Sequence, residues 1–221
     1  MQGAYEKDVK NLILHNKHVF AKGSVNQVAV FEKRITKKTR ADCLIFSKEN
    51  GLVGIEIKTD RDSTKRLFHQ LRDYLEVCNY VYVLIHENML EEVTKTIIEL
   101  SDENIMANRV GIVVYKEFKD RLILGTLIPA KAQQVNYKKL VNIVWSSECR
   151  EMAQKVAKDY GMILRVTSKA GMINFIQHHE DFMSLIIDMY VRRNFDMDHK
   201  ITTYKVVDNY GNDRQTKKEP I

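Results

Sequence analysis

Residues 39–60 read TRADCLIFSKENGLVGIEIKTD. Two apolar runs, Cys43-Leu44-Ile45-Phe46 and Val53-Gly54-Ile55-Glu56-Ile57, flank Glu49-Asn50-Gly51, a strong turn signal between strands. An antiparallel hairpin here constrains the fold more than any other segment. It also carries an anomaly: Asp42, Glu56 and Lys58 interrupt the apolar pattern, and charges on a core strand are costly unless paired. Strand side chains alternate, so Glu56 and Lys58 share one face while Ile55 and Ile57 take the other. A three-residue loop, Glu49-Asn50-Gly51 with the glycine left-handed, places Asp42 opposite Lys58 and Leu44 opposite Glu56. All three charged groups then lie on one face.

Around this hairpin the pattern predicts a helix over residues 4–17 and a strand over 26–35. Strands follow at 41–47 and 52–58, then a helix over 62–77 whose inner face is Leu67, Leu71, Tyr74 and Leu75. A buried strand at 80–85, a helix at 88–100 and strands at 109–115 and 121–128 complete the first part. A helix between two buried strands is the crossover that parallel strands need. The expected class is therefore α/β, a mixed central sheet flanked by helices. From about residue 141 the pattern turns helical, with helices expected at 146–160, 168–179 and 181–195, and the end of the chain is polar. We divide the chain into a core at 1–145, a helical extension at 146–203 that is a candidate DNA-binding module, and a polar tail at 204–221.

The 221 residues carry a formal net charge of +6. Five cations fall within eight residues, Lys33, Arg34, Lys37, Lys38 and Arg40. Such a run is either a solvated hairpin tip or a phosphate grip. No apolar run approaches the ~18 residues of a membrane span, so no membrane partner is expected. The first residues lack a signal peptide's apolar core. The three cysteines form no CxxC pair. Together these point to a cytoplasmic protein.

Two carboxylates converging on a strand face suit a hard divalent cation, Mg²⁺ or Mn²⁺, which takes one or two protein carboxylates and keeps several waters. Asp42 and Glu56 are the candidate ligands, and the main-chain carbonyl of Ile57 is a third. Lys58 beside the metal can orient an attacking water and offset charge on a phosphate. No cysteine–histidine set suggests zinc, and the lone His69 reads as a surface or groove residue. The bland alternative for Glu56 and Lys58 is an exposed ion pair, worth only about 0–1 kcal/mol. Asp60 and Asp62 read more naturally as caps of the following helix than as ligands.

Asp42, the hairpin and Glu56-Ile57-Lys58 resemble the Asp…Glu-x-Lys signature of the PD-(D/E)XK nuclease superfamily, which has the restriction-endonuclease-like fold. The order helix, three-stranded meander, helix, strand resembles its common core. Gln70 and Tyr74, one helical turn apart, resemble the Gln-x-x-x-Tyr motif of RecB-like members, and residues 40–85 as a whole resemble a subfamily of small phage and bacterial proteins. The resemblance implies a catalytic set of Asp42, Glu56, Lys58, Gln70 and Tyr74. It also implies an additional first-helix acid, for which Glu6 is best placed and Glu32 next. Ala41 stands where many members have proline.

The function this implies is a Mg²⁺-dependent DNA nuclease, a phosphodiester hydrolase. Lys33, Arg34, Lys37, Lys38, Arg40 and Arg66 would contact the DNA backbone, and Arg72 could join them. The alternative is a nucleic-acid-binding or regulatory protein of the same fold without turnover. One site cuts one strand, so clean double-strand cutting would call for a homodimer. In the extension, Lys155, Lys158, Arg165, Lys169, Arg192 and Arg193 lie on helices faintly resembling SAP-type modules. A lid or assembly surface is an equal reading of them.

Overall fold

The computed structural model describes residues 6–22, 26–102, 107–119, 121–198, 206–207 and 213–214. The chain begins with α1 (Glu6–His15) and a short α2 (Lys17–Phe20). β1 (Gln27–Arg34), β2 (Arg40–Ser47) and β3 (Gly51–Lys58) form an antiparallel meander. α3 (Leu67–Val77) then crosses to β4 (Tyr80–His86), and α4 (Leu90–Asp102) crosses to β5 (Gly111–Phe118); β3, β4 and β5 are mutually parallel. β6 (Arg121–Ile128) returns antiparallel at the edge. The six strands lie in sequence order. This is the expected mixed sheet flanked by helices, a restriction-endonuclease-like arrangement. The strands at 206–207 and 213–214 pair with each other, while the rest of the expected polar tail and residues 4–5 of the expected first helix lie outside the described residues. Among the described residues no helix is long and apolar enough to cross a membrane.

Two apolar layers sandwich the sheet. Val9 and Ile13 of α1 and Phe20 of α2 pack on Cys43, Ile45, Val53, Ile55 and Ile57. The opposite face, with Leu44, Phe46, Leu52 and Val83, packs on α3, α4 and the helices that follow. Those are α5 (Tyr137–Leu140), α6 (Ser146–Asp159), α7 (Lys169–Gln177) and α8 (Phe182–Asp198). α8 buries Phe182, Ile186, Met189 and Tyr190, and Tyr190 stacks on Phe46 of β2 with centroids 4.0 Å apart. An apolar stripe this broad requires such burial. All three cysteines are buried and free.

The β2–β3 register differs from the expected one. Cys43 pairs with Ile55, Leu44 with Gly54 and Ser47 with Gly51, so Asp42 falls beside Glu56 rather than Lys58. The loop is Lys48-Glu49-Asn50, and Gly51, at φ 73°, is the first paired residue instead of the last loop residue. Two contacts draw it there. The Asn50 amide N–H and Nδ2 both donate to Ser47 Oγ, at 3.2 and 3.1 Å. Asn79 Oδ1 accepts the Leu52 N–H at 2.9 Å, in space a Cβ on Gly51 would enter. The shift is two positions in the pairing sum, so facing is preserved, and Asp42, Glu56 and Lys58 still share the face toward α3.

Gly54 lets α3 approach. A Cβ there would lie 2.3 Å from Tyr74 Cδ1 and 2.8 Å from Cys78 Sγ. Both neighbours are fully buried, so neither can swing away. We expect Gly54→Ala to cost about 1–3 kcal/mol through overpacking, seen as a fall of about 2–4 °C in Tm per kcal/mol. A melting temperature equal to wild type would show that α3 tolerates displacement from β3.

Candidate metal centre and basic groove

The β2–β3 ladder stops at Cys43 and Ile55, and the site begins where it stops. Beyond that pair, side chains take over the backbone groups. The Asp42 N–H donates to the Tyr74 hydroxyl at 2.9 Å, and that hydroxyl donates to the Ile55 carbonyl at 3.2 Å. The Ile57 N–H donates to Asp42 Oδ2 at 2.8 Å. Buried backbone groups must be paired; here Tyr74 and Asp42 pair them while the strands diverge to open a pocket. Tyr74 is fully buried, so it positions the strands from beneath the pocket.

The pocket, about 230 Å³, is lined by Glu6, Glu32, Asp42, Glu56, Ile57, Lys58, Asp62, Arg66 and Gln70. Lys58 Nζ donates to Glu56 Oε1 at 2.8 Å and to Gln70 Oε1 at 3.2 Å. The side chains of Lys58 and Glu56 are only 7% and 1% exposed, so the exposed-ion-pair alternative does not hold. Glu56 Oε2 is buried and has no hydrogen-bond partner among the described residues, which is costly unless something outside them satisfies it. Burial pushes the Asp42 carboxyl up to about 7, and the neighbouring Glu56 charge adds to this against the Ile57 N–H and Lys58, which act the other way. Burial likewise raises Glu56, opposed by Lys58 and, less strongly, by the nearby Tyr74 hydroxyl and Asp42 carboxyl, although the one Tyr74 hydroxyl proton is already given to Ile55. An electron-rich, partly dehydrated carboxyl pair with one orphan oxygen fits a divalent cation. Among the described residues, however, no group of three or more His, Cys, Asp or Glu side chains is placed to hold a metal.

Glu6 and Glu32 reach the pocket from α1 and β1, each tied to Lys10 Nζ at 2.6 Å. Glu32 is left-handed at φ 55°, rare for a residue with a side chain. Its conformation switches the strand's facing. Ala29 and Phe31 pack on the α1 side, whereas Ile35 joins the opposite core. Asp62 is a turn acid whose Oδ2 accepts the Thr59 N–H and hydroxyl at 2.7 and 2.8 Å.

A groove of about 940 Å³ opens from the pocket, sharing Glu32, Asp42, Arg66 and Gln70 with it. Arg34, Lys37, Lys38 and Arg40 line it with Arg66, His69, Arg72 and Lys139. The exposed hairpin tip is anchored to α3: Thr36 Oγ1 donates to Asp73 Oδ2 at 2.9 Å, and the Thr39 hydroxyl bonds the same oxygen. Lys33 is the exception among the grouped cations. It is buried, its Nζ 3.3 Å from both Glu148 oxygens, because the facing switch at Glu32 turns it toward α6 and α8. In the extension, Arg193 bonds Glu148 and Glu151, Lys155 bonds Asp159, and Lys169 donates to the Val144 carbonyl. Lys158, Arg165 and Arg192 remain exposed. Sequence reasoning passed over Asp73, Lys139 and Asn142 of the groove, whose part depends on contacts between distant segments.

Fold and site together define a restriction-endonuclease-like α/β protein with a carboxylate–lysine pocket at the end of a basic groove. The sequence profile of the family described as Bacteriophage P4 protein cII matches residues 1–206, and the chain belongs to that family. Comparison with curated proteins gives no match. Among solved structures, the chain is similar to a protein of unknown function from Silicibacter pomeroyi, with 13% identity, TM-score 0.38, and 64% of this chain and 86% of that one covered. It is also similar to SfsA from Pyrococcus furiosus, a structure in complex with Ca²⁺, with 17% identity, TM-score 0.35, and 56% and 61% covered.

The raised Asp42 pKa sets a direction for pH dependence. Without metal, the folded state holds this proton to about pH 7, while an unfolded Asp releases it near 3.9. Stability from this group is therefore present below about pH 4 and lost as pH rises through 7. Asp42→Asn, measured in EDTA, should gain Tm relative to wild type progressively between pH 4 and 8. A difference independent of pH would remove Asp42 as a buried titrating group.

Proposed function

We propose that this protein binds DNA along the basic groove and that the Asp42–Glu56–Lys58 pocket hydrolyses a phosphodiester with Mg²⁺ or Mn²⁺. The binding half draws on the row of cations and the open groove. The catalytic half rests on one observation, the buried and unpartnered Glu56 Oε2 beside Asp42. A carboxylate pair built only for stability would have both oxygens satisfied.

In this reading Asp42 and Glu56 hold the cation, with the Ile57 carbonyl in reach of the same pocket, and Glu6 is the additional acid. When bound, the cation supplies an activated water and neutralises charge on the phosphate. The chain's own part is orientation. The Ile57 N–H fixes one Asp42 oxygen, Gln70 and Glu56 hold the Lys58 ammonium, and Tyr74 keeps both strands in place. Lys58, with spare N–H donors, faces the developing negative charge.

A second reading keeps DNA binding without turnover. Two observations favour it: among the described residues no three His, Cys, Asp or Glu side chains are placed to hold a metal together, and Lys58 already neutralises Glu56 at 2.8 Å. One experiment separates the two. Purified protein is incubated with supercoiled, linear, single-stranded and branched DNA in Mg²⁺, Mn²⁺ or EDTA. We expect metal-dependent cleavage that Glu56→Gln lowers by about 10²–10³-fold, the scale of losing a charge-stabilising group, with binding retained. Binding without cleavage in any metal would leave the second reading. Cleavage by Glu56→Gln at the wild-type rate would sink the metal assignment.

The groove has its own test. Duplex affinity measured in Ca²⁺ at several salt concentrations should fall with a slope near −0.9 per phosphate contact. Replacing Lys37 and Lys38 with alanine should flatten that slope and weaken binding evenly across sequences, since phosphate contacts carry no sequence information. An unchanged slope would take these two lysines out of the interface.

A further inference from the structure

Trp145 is the chain's one tryptophan, and it is 60% exposed. Large aromatic side chains usually contribute to a core or an interface, so an indole held in solvent by a rigid support requires a reason. The support is elaborate. The Trp145 N–H donates to Glu148 Oε2 at 2.6 Å, fixing Trp145 at the start of α6. Glu148 is itself buried and held by Lys33 from β1 and by Tyr190 and Arg193 from α8, the Tyr190 hydroxyl donating at 2.6 Å. Lys33 Nζ lies 5.7 Å from the centre of the indole ring, within range of a cation–π contact. Ile143 and Val144, just before Trp145, are buried. The backbone presenting this ring is anchored on both sides.

Its location matters as much as its exposure. Asn142, three residues earlier, lines the basic groove, and Arg34, next to Lys33, lines it as well. Among the described residues, the groove lining has cations and polar groups but no Phe, Tyr or Trp. A backbone track without aromatics recognises phosphates; recognition of unpaired bases needs flat aromatic faces, because every base can stack on them. Trp145 is outside that lining, but its backbone follows the groove residue Asn142 by three residues, a reach of at most about 11 Å, so it brings such a face to the neighbourhood of the groove.

Resting on the DNA-binding reading above, we propose that Trp145 is a stacking platform for an unpaired nucleobase. The preferred ligand is then DNA with a single-stranded segment, its phosphates on Arg34, Lys37 and Lys38 and a base against the indole. The buried Lys33 acts as a fixed cation beneath the platform rather than as a phosphate contact. Among the other exposed aromatics of the described residues, Tyr137 stands two residues from the groove residue Lys139, with its hydroxyl 3.4 Å from Asp181 Oδ1, and Tyr160 bonds the His179 carbonyl at 3.0 Å.

A lone tryptophan makes the test direct. Intrinsic fluorescence of Glu56→Gln protein is followed during titration, in EDTA, with a single-stranded oligonucleotide, a blunt duplex of equal length and an abasic strand with the same phosphates. We expect quenching by the single strand and little from the duplex or the abasic strand. Anisotropy with labelled single strands should show Trp145→Ala binding about five- to 150-fold more weakly, the range for loss of one stacked base, while Trp145→Phe stays near wild type. A circular-dichroism melt checks that both variants remain folded; Trp145→Phe keeps the test valid if alanine disturbs the helix start. Binding of both DNA forms without quenching, or equal affinity of Trp145→Ala for single strands, overturns the platform and leaves the DNA-binding reading intact. Binding of neither form overturns both.

Discussion

The Tyr74 hydroxyl holds the site open. It accepts from Asp42 and donates to Ile55, spanning two strands at the point where they stop pairing. It can do so because Gly54 leaves room for its ring. Without this bridge the Asp42 N–H would have to find its partner across the ladder, closing β2 on β3 over the volume the pocket occupies. The cavity is thus a designed interruption of a β-ladder, with the backbone groups of Asp42, Ile55 and Ile57 satisfied by side chains.

The electrostatics follow from that interruption. Two carboxyls and one ammonium sit at the edge of the core, where charge is expensive. The single lysine balances one acid, so ionising the second is disfavoured until about pH 7. In the reading proposed above, the pocket would take a further positive charge and the cationic groove would bring a polyanion to its mouth. Opposite fields at adjoining surfaces would let the proposed ligand, a phosphodiester with its counter-cation, satisfy both.

Much of this was readable from the chain. The period of two places Glu56 and Lys58 on one face, and Asp42 joins them in the expected register and in the observed one because the two differ by an even step; Gln70 and Tyr74 belong together because four residues make about one helical turn. The register itself was not readable: Gly51 pairs with Ser47 partly because of Asn79, 28 positions further on. Lys33 looked like its neighbours in a basic run, yet the left-handed Glu32 turned it inward, and a non-glycine residue at positive φ leaves no trace in sequence. Asp73 was likewise invisible, since its two threonine partners come from a hairpin more than thirty residues earlier.

The tie between Thr36, Thr39 and Asp73 has a consequence for how the groove meets its ligand. A basic loop that must order itself on binding loses backbone entropy, about 1–2 kcal/mol for every residue fixed. Here folding has already settled that backbone against α3, the helix that also carries Gln70 and Tyr74. The side chains of Arg34, Lys37 and Lys38 reach from it into solvent, while Arg40 pairs with Glu32 and Lys139 with Glu76. In the proposed reading the groove is a firm bed with long flexible side chains, which would follow phosphates of varied spacing while the pocket beneath keeps its shape.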